Sequence, residues 1–383
     1  MFPDRFFSFR LGNTERFPSQ MFHHGPLYTG AMMEDRQVHM PRPKEKRAPV
    51  IKDVAALANV SVSTVSRYLN DSPRISEESR SRIAHAIRLL DYHPSRVARG
   101  LVNSTMKSIA VLTSNTTLYG SSMTIQGIED EARTNNYPVS ISKLDDDSAD
   151  GLRASITMVM DQNPSGVVVM KYDELAAKAL NLLPDTVAKV VIAGDRESDL
   201  DQIDLRENQS GREITEFLLG LGHANVVHVT IPGGGGGYSR TAGWEAALRA
   251  NDKPIPDMWH CSWLPSDARE LGHEIAHVDG LTAIFAGNDE IAMGLIRGLE
   301  DEGKSVPGDI SVIGFDDHPL SSVWTPPLTT YRQDFPAAGR QAVQLLLSRI
   351  EAQERGEVLP ARFVELQGEL VVRASAGAPP SAR

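Results

Sequence analysis

A single cysteine, Cys261, stands in 383 residues, so neither an intrachain disulfide nor a cysteine-based metal cluster can form. That scarcity suits a reducing cytoplasm, and Cys261 is expected to be a buried small side chain. Long apolar runs are missing as well. The first forty residues scatter phenylalanines, a His23-His24 pair and prolines, without a continuous apolar stretch of about seven residues, which excludes a secretory signal or a membrane span there. Residues 1–48 therefore read as an extension outside the folded pattern, either a disordered arm or a consequence of a true start at Met40. Positive charge is also in deficit: 39 Lys and Arg face 50 Asp and Glu, a net charge of −11. Such a chain is not a generally adhesive polycation.

The exception to that acidity is local. Between Pro41 and Val102, 12 basic residues face 6 acidic ones, whereas after Val102 the balance is 23 to 40. A basic module on an acidic body indicates local phosphate binding. Within 49–94 the pattern is three helices. Val54, Ala55 and Ala58 share one face of the first, and Asn59 and Val60 turn the chain. Ser61 is placed to N-cap the second, with Val60 and Val65 at the positions of a hydrophobic staple. Val65 and Leu69 point inward, which leaves Val62, Ser63, Ser66 and Arg67 on the wet face. An opening turn of this kind meets base edges in the major groove. Arg67 is the first candidate base reader, since its bidentate contact to guanine would give about 1–3 kcal/mol of discrimination, whereas Ser63 is an ambiguous hydrogen bonder and Val62 favours a thymine methyl. A third helix has Ser76 as its cap, Glu77 and Glu78 in its first turn, Ile83, Ile87 and Leu90 as its buried stripe, and Pro94 as its end. The same three helices could equally be a small packing unit of another assembly.

Residues 95–104 read as a hinge. The run Ser95-Arg96-Val97-Ala98-Arg99-Gly100-Leu101-Val102 has a cap and the helical spacing of Val97 and Leu101. A helix of about two turns is marginal in water, and Gly100 costs it about 1 kcal/mol more, so the segment should fold only when something orders it. Leu101 wedged into a minor groove, with arginines beside it on phosphates, is one way DNA could do that. An ordinary flexible linker is the other.

From 105 to 375, short apolar runs alternate with amphipathic helices. Residues 109–112, 139–141, 166–170, 190–192, 226–229, 283–285 and 310–313 are the strand candidates, and the alternation means α/β architecture with parallel sheets covered on both faces. The length calls for two sub-domains with a cleft at the carboxyl ends of the strands. Ser114, Arg240, Trp263, Asn288, Asp289 and Asp316 fall at those ends or in the loops beyond them. Carboxylate, guanidinium and amide groups beside a flat indole suit a small polyhydroxylated ligand. Taken singly, Asn288 and Asp316 could cap helices and Trp263 could be core.

Three motif matches do not carry function. His273-Glu-Ile-Ala-His277 fits the H-E-x-x-H zinc pattern, but no third ligand is identifiable at helix spacing. The run 233–237 lacks the Gly-Lys-Ser/Thr ending of a phosphate loop and has Tyr238 where a dinucleotide fingerprint needs glycine, so it reads as a mobile loop. Cys261 has no recognisable base. No nucleophile with a placed base is present, so neither an enzyme nor a cofactor is expected.

From Val50 to about Ser375 the chain resembles the lactose-repressor (LacI/GalR) family of transcription regulators. The resemblance rests on Asp53-Val-Ala, Val60-Ser-Val-Ser-Thr-Val-Ser-Arg67, Tyr92-His-Pro94 and Ala98-Arg-Gly-Leu101. In the body it rests on Leu221-Gly-His223, Arg240-Thr-Ala-Gly-Trp244, Asn288-Asp289, Ser311-Val-Ile-Gly-Phe-Asp-Asp317 and the run from Pro327 to Asp334. It implies a helix-turn-helix head on a periplasmic-binding-protein-like core. It also implies that Val62, Ser63 and Arg67 touch bases, that Ser61, Thr64, Ser66 and Asn70 touch phosphates, and that Leu101 is the minor-groove wedge. Arg96, Val97 and Ala98 belong to the hinge that accompanies it. The resemblance further implies a homodimer on a near-palindromic double-stranded operator, and a sugar or related effector held at the core positions named above. The tail 376–383 is small and carries no leucine heptads, so a dimer rather than a tetramer is expected.

Departures from the family pattern keep the effector open. Glu207-Asn208 stands where Asp-Asn is more usual, and Asn115-Thr-Thr117 replaces a Pro-containing loop. A repressor of carbohydrate genes is the first reading; a non-sugar metabolite such as a purine, or a protein corepressor, is the alternative. A solute-binding protein of a sugar transporter would share the core but would need an export signal and no basic head.

Overall fold

The computed structural model describes residues 49–69, 72, 74–92, 107–194, 200–231 and 238–380. The expected hinge, with Arg96, Val97, Ala98 and Leu101, lies outside these residues, as do Asn70 and the glycine run. The chain divides into two compact units that meet in sequence between Tyr92 and His93.

In the first unit, α1 (Ile51–Leu57), α2 (Val62–Leu69) and α3 (Glu77–Leu90) close over Val54, Ala55, Ala58, Val65, Ile83, Ala86 and Tyr92. Asn59 adopts a left-handed φ of 51°, which asparagine tolerates, and so lets α2 turn away from α1. Ser76 caps α3 by accepting from the Ser79 N–H at 3.3 Å. Ile83 is buried as expected, but Ile87 and Leu90 only pack against the edge of this core, and Ala86 takes the inner place. Nor does α3 end at Pro94. Asp91 turns left-handed at φ 48°, and the N–H groups of Asp91 and Tyr92 close on the carbonyls of Arg88 and Ile87.

The second unit runs β1 (Ile109–Thr113), α4 (Tyr119–Thr134), β2 (Val139–Lys143), α5 (Ala149–Asp161), β3 (Gly166–Lys171), α6 (Glu174–Leu180), β4 (Ala188–Ala193), β5 (Asp201–Asp204), α7 (Glu207–Gly220), β6 (Val227–Thr230), α8 (Tyr238–Ala250) and β7 (Trp259–His260). It continues through α9 (Pro265–Ile275), β8 (Ala283–Ala286), α10 (Asp289–Asp301), β9 (Ser311–Ile313), β10 (Thr330–Arg332), α11 (Phe335–Glu354), β11 (Phe363–Glu365) and β12 (Glu369–Val371). All seven strand candidates are strands. β5, β7, β10, β11 and β12 were not expected.

Two parallel sheets result, ordered β11-β5-β4-β3-β1-β2 and β7-β6-β8-β9, with a separate antiparallel pair β10-β12. In the first sheet Ile109 lies opposite Val139 on one side and Gly166 on the other; in the second, Val227 lies opposite Ile284. The first sheet packs Ile109, Val168, Val190 and Ile203 against α4 and α11 through Ile128, Val343 and Leu346. The second packs Phe285 and Ile313 against Ile214, Leu218 and Trp244 of α7 and α8. The chain therefore passes from one lobe to the other near Arg206, Gln333 and Gln367. Gln333 ties two of these passages together by donating to the Leu205 carbonyl at 3.1 Å.

In each sheet the strand order reverses beside its first strand, between β1 and β3 and between β6 and β8. Such a switch point opens a crevice at the carboxyl ends of parallel strands. Both crevices open into one cavity. Among the described residues no helix is long and apolar enough to cross a membrane.

Candidate DNA-reading helix and ligand cavity

On the head, the Thr64 N–H donates to Ser61 Oγ at 3.1 Å, which makes Ser61 the expected cap of α2. Its hydroxyl also shares hydrogen bonds with those of Ser63 at 2.7 Å and Thr64 at 2.8 Å. Val65 is completely buried, so the helix is rotated with Val62, Ser63 and Arg67 exposed; Thr64 and Ser66 are half-buried at its flanks. An exposed valine, a hydroxyl and a guanidinium at one helix start present apolar, ambiguous and bidentate contacts side by side.

In the second unit, a cavity of about 260 Å³ is lined at the ends of β1, β3, β4, β6, β8 and β9. Ser114, Arg240, Trp263, Asn288 and Asp316, expected to converge, all line it. Asp289 does not. Its side chain is fully buried beneath the wall, where its carboxylate accepts from the Ser321 hydroxyl at 2.7 Å, the Thr330 hydroxyl at 2.5 Å and the His318 N–H at 2.6 Å. Asp289 opens α10 behind Asn288, and that step round the helix carries it into the loop packing. Asn288 has two positions at once: it lines the cavity and caps α10, accepting from the Ile291 N–H at 2.8 Å.

Arg240 is the centre of the wall. One Nη donates to Glu207 Oε1 at 2.8 Å and the other to the Gly287 carbonyl, while the guanidinium lies 3.7 Å from the centroid of the Phe315 ring. Asp316 Oδ1 stands 3.8 Å from Arg240 Nη2. Burial alone would push the guanidinium down, and the carboxylates of Glu207 and Asp316 more than reverse it. Burial pushes the Asp316 carboxyl well above the usual carboxylate range, and Arg240 only partly offsets it. Asp316 sits at φ 103°, a conformation L side chains rarely adopt, directly at the site. Two buried wall atoms have no hydrogen-bond partner among the described residues: Arg240 Nε, a donor, and Asp316 Oδ1, an acceptor.

Lys171, Tyr172, Asp173, Glu207 and Phe335 also line the cavity and were not expected there. Lys171, Tyr172 and Asp173 follow β3 as Ser114 follows β1, so their place at a strand end was the available signal. In the sequence Glu207 stands out only as a departure from the family pattern. Asp173 is committed to the protein, capping α6 at 2.9 Å from the Ala176 N–H and accepting from the Ser114 hydroxyl.

The zinc pattern resolves into surface packing. His273 lies 3.3 Å from Asp301 and His277 3.3 Å from Glu302, and no cluster of three or more metal-ligating side chains occurs among the described residues. Cys261 is half-buried, not buried as expected; desolvation still pushes its thiol up, away from the reactive range.

Residues 50–95 match the family model for bacterial regulatory proteins of the lacI family, and 215–376 match that for a periplasmic binding protein-like domain. The HTH-type transcriptional repressor PurR of Haemophilus influenzae (strain PittEE) is 30% identical over 336 residues, covering 85% of this chain and 98% of that protein. The chain belongs to the LacI family. It is a DNA-binding transcriptional repressor of that family, and the lactose operon repressor of Escherichia coli (strain K12) is a second relative, 28% identical over 334 residues, covering 85% of this chain and 92% of that protein. A crystal structure of the Lac repressor dimer bound to operator and the anti-inducer ONPF superposes with a TM-score of 0.78 at 26% identity, covering 87% of this chain and all of that one.

Proposed function

We propose that this LacI-family member is a cytoplasmic, dimeric repressor of carbohydrate genes whose grip on a near-palindromic operator is set by a small polyhydroxylated ligand in the cavity. The observation that carries this reading is the convergence of Ser114, Asn288, Arg240 and Asp316 with the half-buried indole of Trp263 around one cavity, where Arg240 Nε and Asp316 Oδ1, both buried, have no hydrogen-bond partner among the described residues. Buried polar atoms without partners are costly, and a vicinal diol supplies both an acceptor and a donor. The indole gives a sugar ring an apolar face to lie on. In the head, Val62, Ser63 and Arg67 read bases, while Ser61, Thr64 and Ser66 hold phosphates; Asn70 and the hinge residues act with them. Ligand binding shifts the angle between the lobes and thereby the hinges, so ligand and operator each alter the other's affinity by the same factor.

The aromatic lining by Tyr172, Trp263 and Phe335 favours a second ligand class, a flat heterocycle such as a purine. A thermal-shift screen of neutral sugars against purine bases separates the two. At a hundredfold excess over its dissociation constant the true ligand class adds about 2.7 kcal/mol to the native state. Stabilisation by sugars that is lost in Asp316→Ala supports the first reading, and stabilisation by purines alone replaces it with the second.

A further inference from the structure

We propose that Glu207 is the specificity-determining residue of this cavity: by occupying Arg240 it makes the site reject anionic ligands, such as phosphorylated or carboxylated sugars, and accept uncharged or cationic ones. This rests on the cavity's being the ligand site, and it deepens that reading by fixing the ligand's charge.

An anion is best recognised by the guanidinium fork, two parallel N–H groups meeting two oxygens. Both terminal nitrogens of Arg240 already hold protein partners, so a fork could meet an anion only by sharing or displacing them. Its Nη2 is engaged by Glu207 at 2.8 Å, its other Nη by the Gly287 carbonyl, and one face by the Phe315 ring, which leaves Nε as the atom without a hydrogen-bond partner among the described residues. Nε by itself gives an anion no bidentate contact. The surrounding charge acts in the same direction. Glu207 places its carboxylate 2.8 Å from the guanidinium, so an incoming anion meets a negative charge already seated there.

The backbones that carry the pair are packed tightly against each other. A Cβ at Gly211 of α7 would lie 2.2 Å from the Arg240 carbonyl, and one at Gly243 of α8 would lie 1.9 Å from the Asn208 carbonyl. The helices touch main chain to main chain, and Glu207 and Arg240 are held at their facing starts. Gly194 leaves the room that Glu207 fills, since a Cβ there would lie 2.9 Å from Glu207 Oε2.

Isothermal titration with inorganic phosphate tests the assignment on the full chain, and it is independent of which neutral ligand the thermal-shift screen finds. Wild type should show no saturable phosphate binding that depends on Arg240. Glu207→Ala, which frees the fork, should gain affinity by about ten-fold or more, and Glu207→Gln, which keeps the shape, should gain less. The gain should vanish in Glu207→Ala/Arg240→Ala, which separates the cavity from the basic head. Should Glu207→Ala fail to fold, the comparison of wild type with Arg240→Ala still decides. Phosphate binding in wild type that Arg240→Ala removes overturns the proposal, as does a folded Glu207→Ala without any gain.

Discussion

Asp289 accepts three hydrogen bonds, yet burial outweighs them and pushes its carboxyl up to about 7. An acid whose pKa is raised on folding stabilises the native state below its unfolded value and loses that contribution as pH rises through the folded one. Stability should therefore fall between about pH 4 and pH 7 by an amount on the order of 4 kcal/mol at most from this residue. In Asp289→Asn that slope should flatten, which thermal midpoints measured across the range would show; an unaltered slope would mean another group carries it. Arg67→Ala should cost about 1–3 kcal/mol at one operator position and relax discrimination there, read by competition among single-base operator variants. Legibility at this scale followed geometry: Ser114, Asn288 and Asp316 could be placed because they stand just past strand ends, where a parallel sheet must expose them. Asp289 could not, since one step along a helix start separates a cavity wall from a buried loop anchor. Glu207 carried no signal from spacing, because only the folded contact of α7 with α8 brings it to Arg240.

Among the elements, the helix pair α7 and α8 is the tightest test of packing. Gly243→Ala places a methyl against the Asn208 carbonyl and should destabilise the core by about 1–3 kcal/mol, with loss of ligand response because Arg240 moves with α8. Gly220→Ala, at the end of α7 with nothing within 4 Å, should be neutral or stabilising by up to about 1 kcal/mol. Equal melting losses in the two would refute the close approach. The strands show the matching contrast in legibility. β1 and β3 are buried throughout and β4 at all but Lys189, and they read as apolar runs, whereas β5 is Asp201-Gln-Ile-Asp204 and gives no such pattern. Asp201 can be buried there because Arg349 donates to it at 2.7 Å and Arg362 at 2.8 and 3.1 Å, partners more than a hundred residues away. Those guanidiniums and hydrogen bonds hold its carboxyl low despite the burial. β7, β10, β11 and β12 are two or three residues each, too short for periodicity to register.

For the whole molecule, the two-lobe plan was legible from the alternation of apolar runs with helices, but the return of the chain to the first sheet through α11 and β11 was not. That return makes three passages between the lobes, and the cavity lies where both sheets reverse their strand order. Occupancy of the cavity thus bears on both lobes at once, as a switch between two lobe arrangements requires. The most direct test is the dissociation constant for operator DNA from the chain's own upstream region, measured by fluorescence anisotropy with and without the ligand that raises the melting temperature. The account predicts a change of about five-fold or more in wild type and none in Asp316→Ala, with operator binding itself intact in both. Operator affinity that stays the same in wild type at saturating ligand would contradict it.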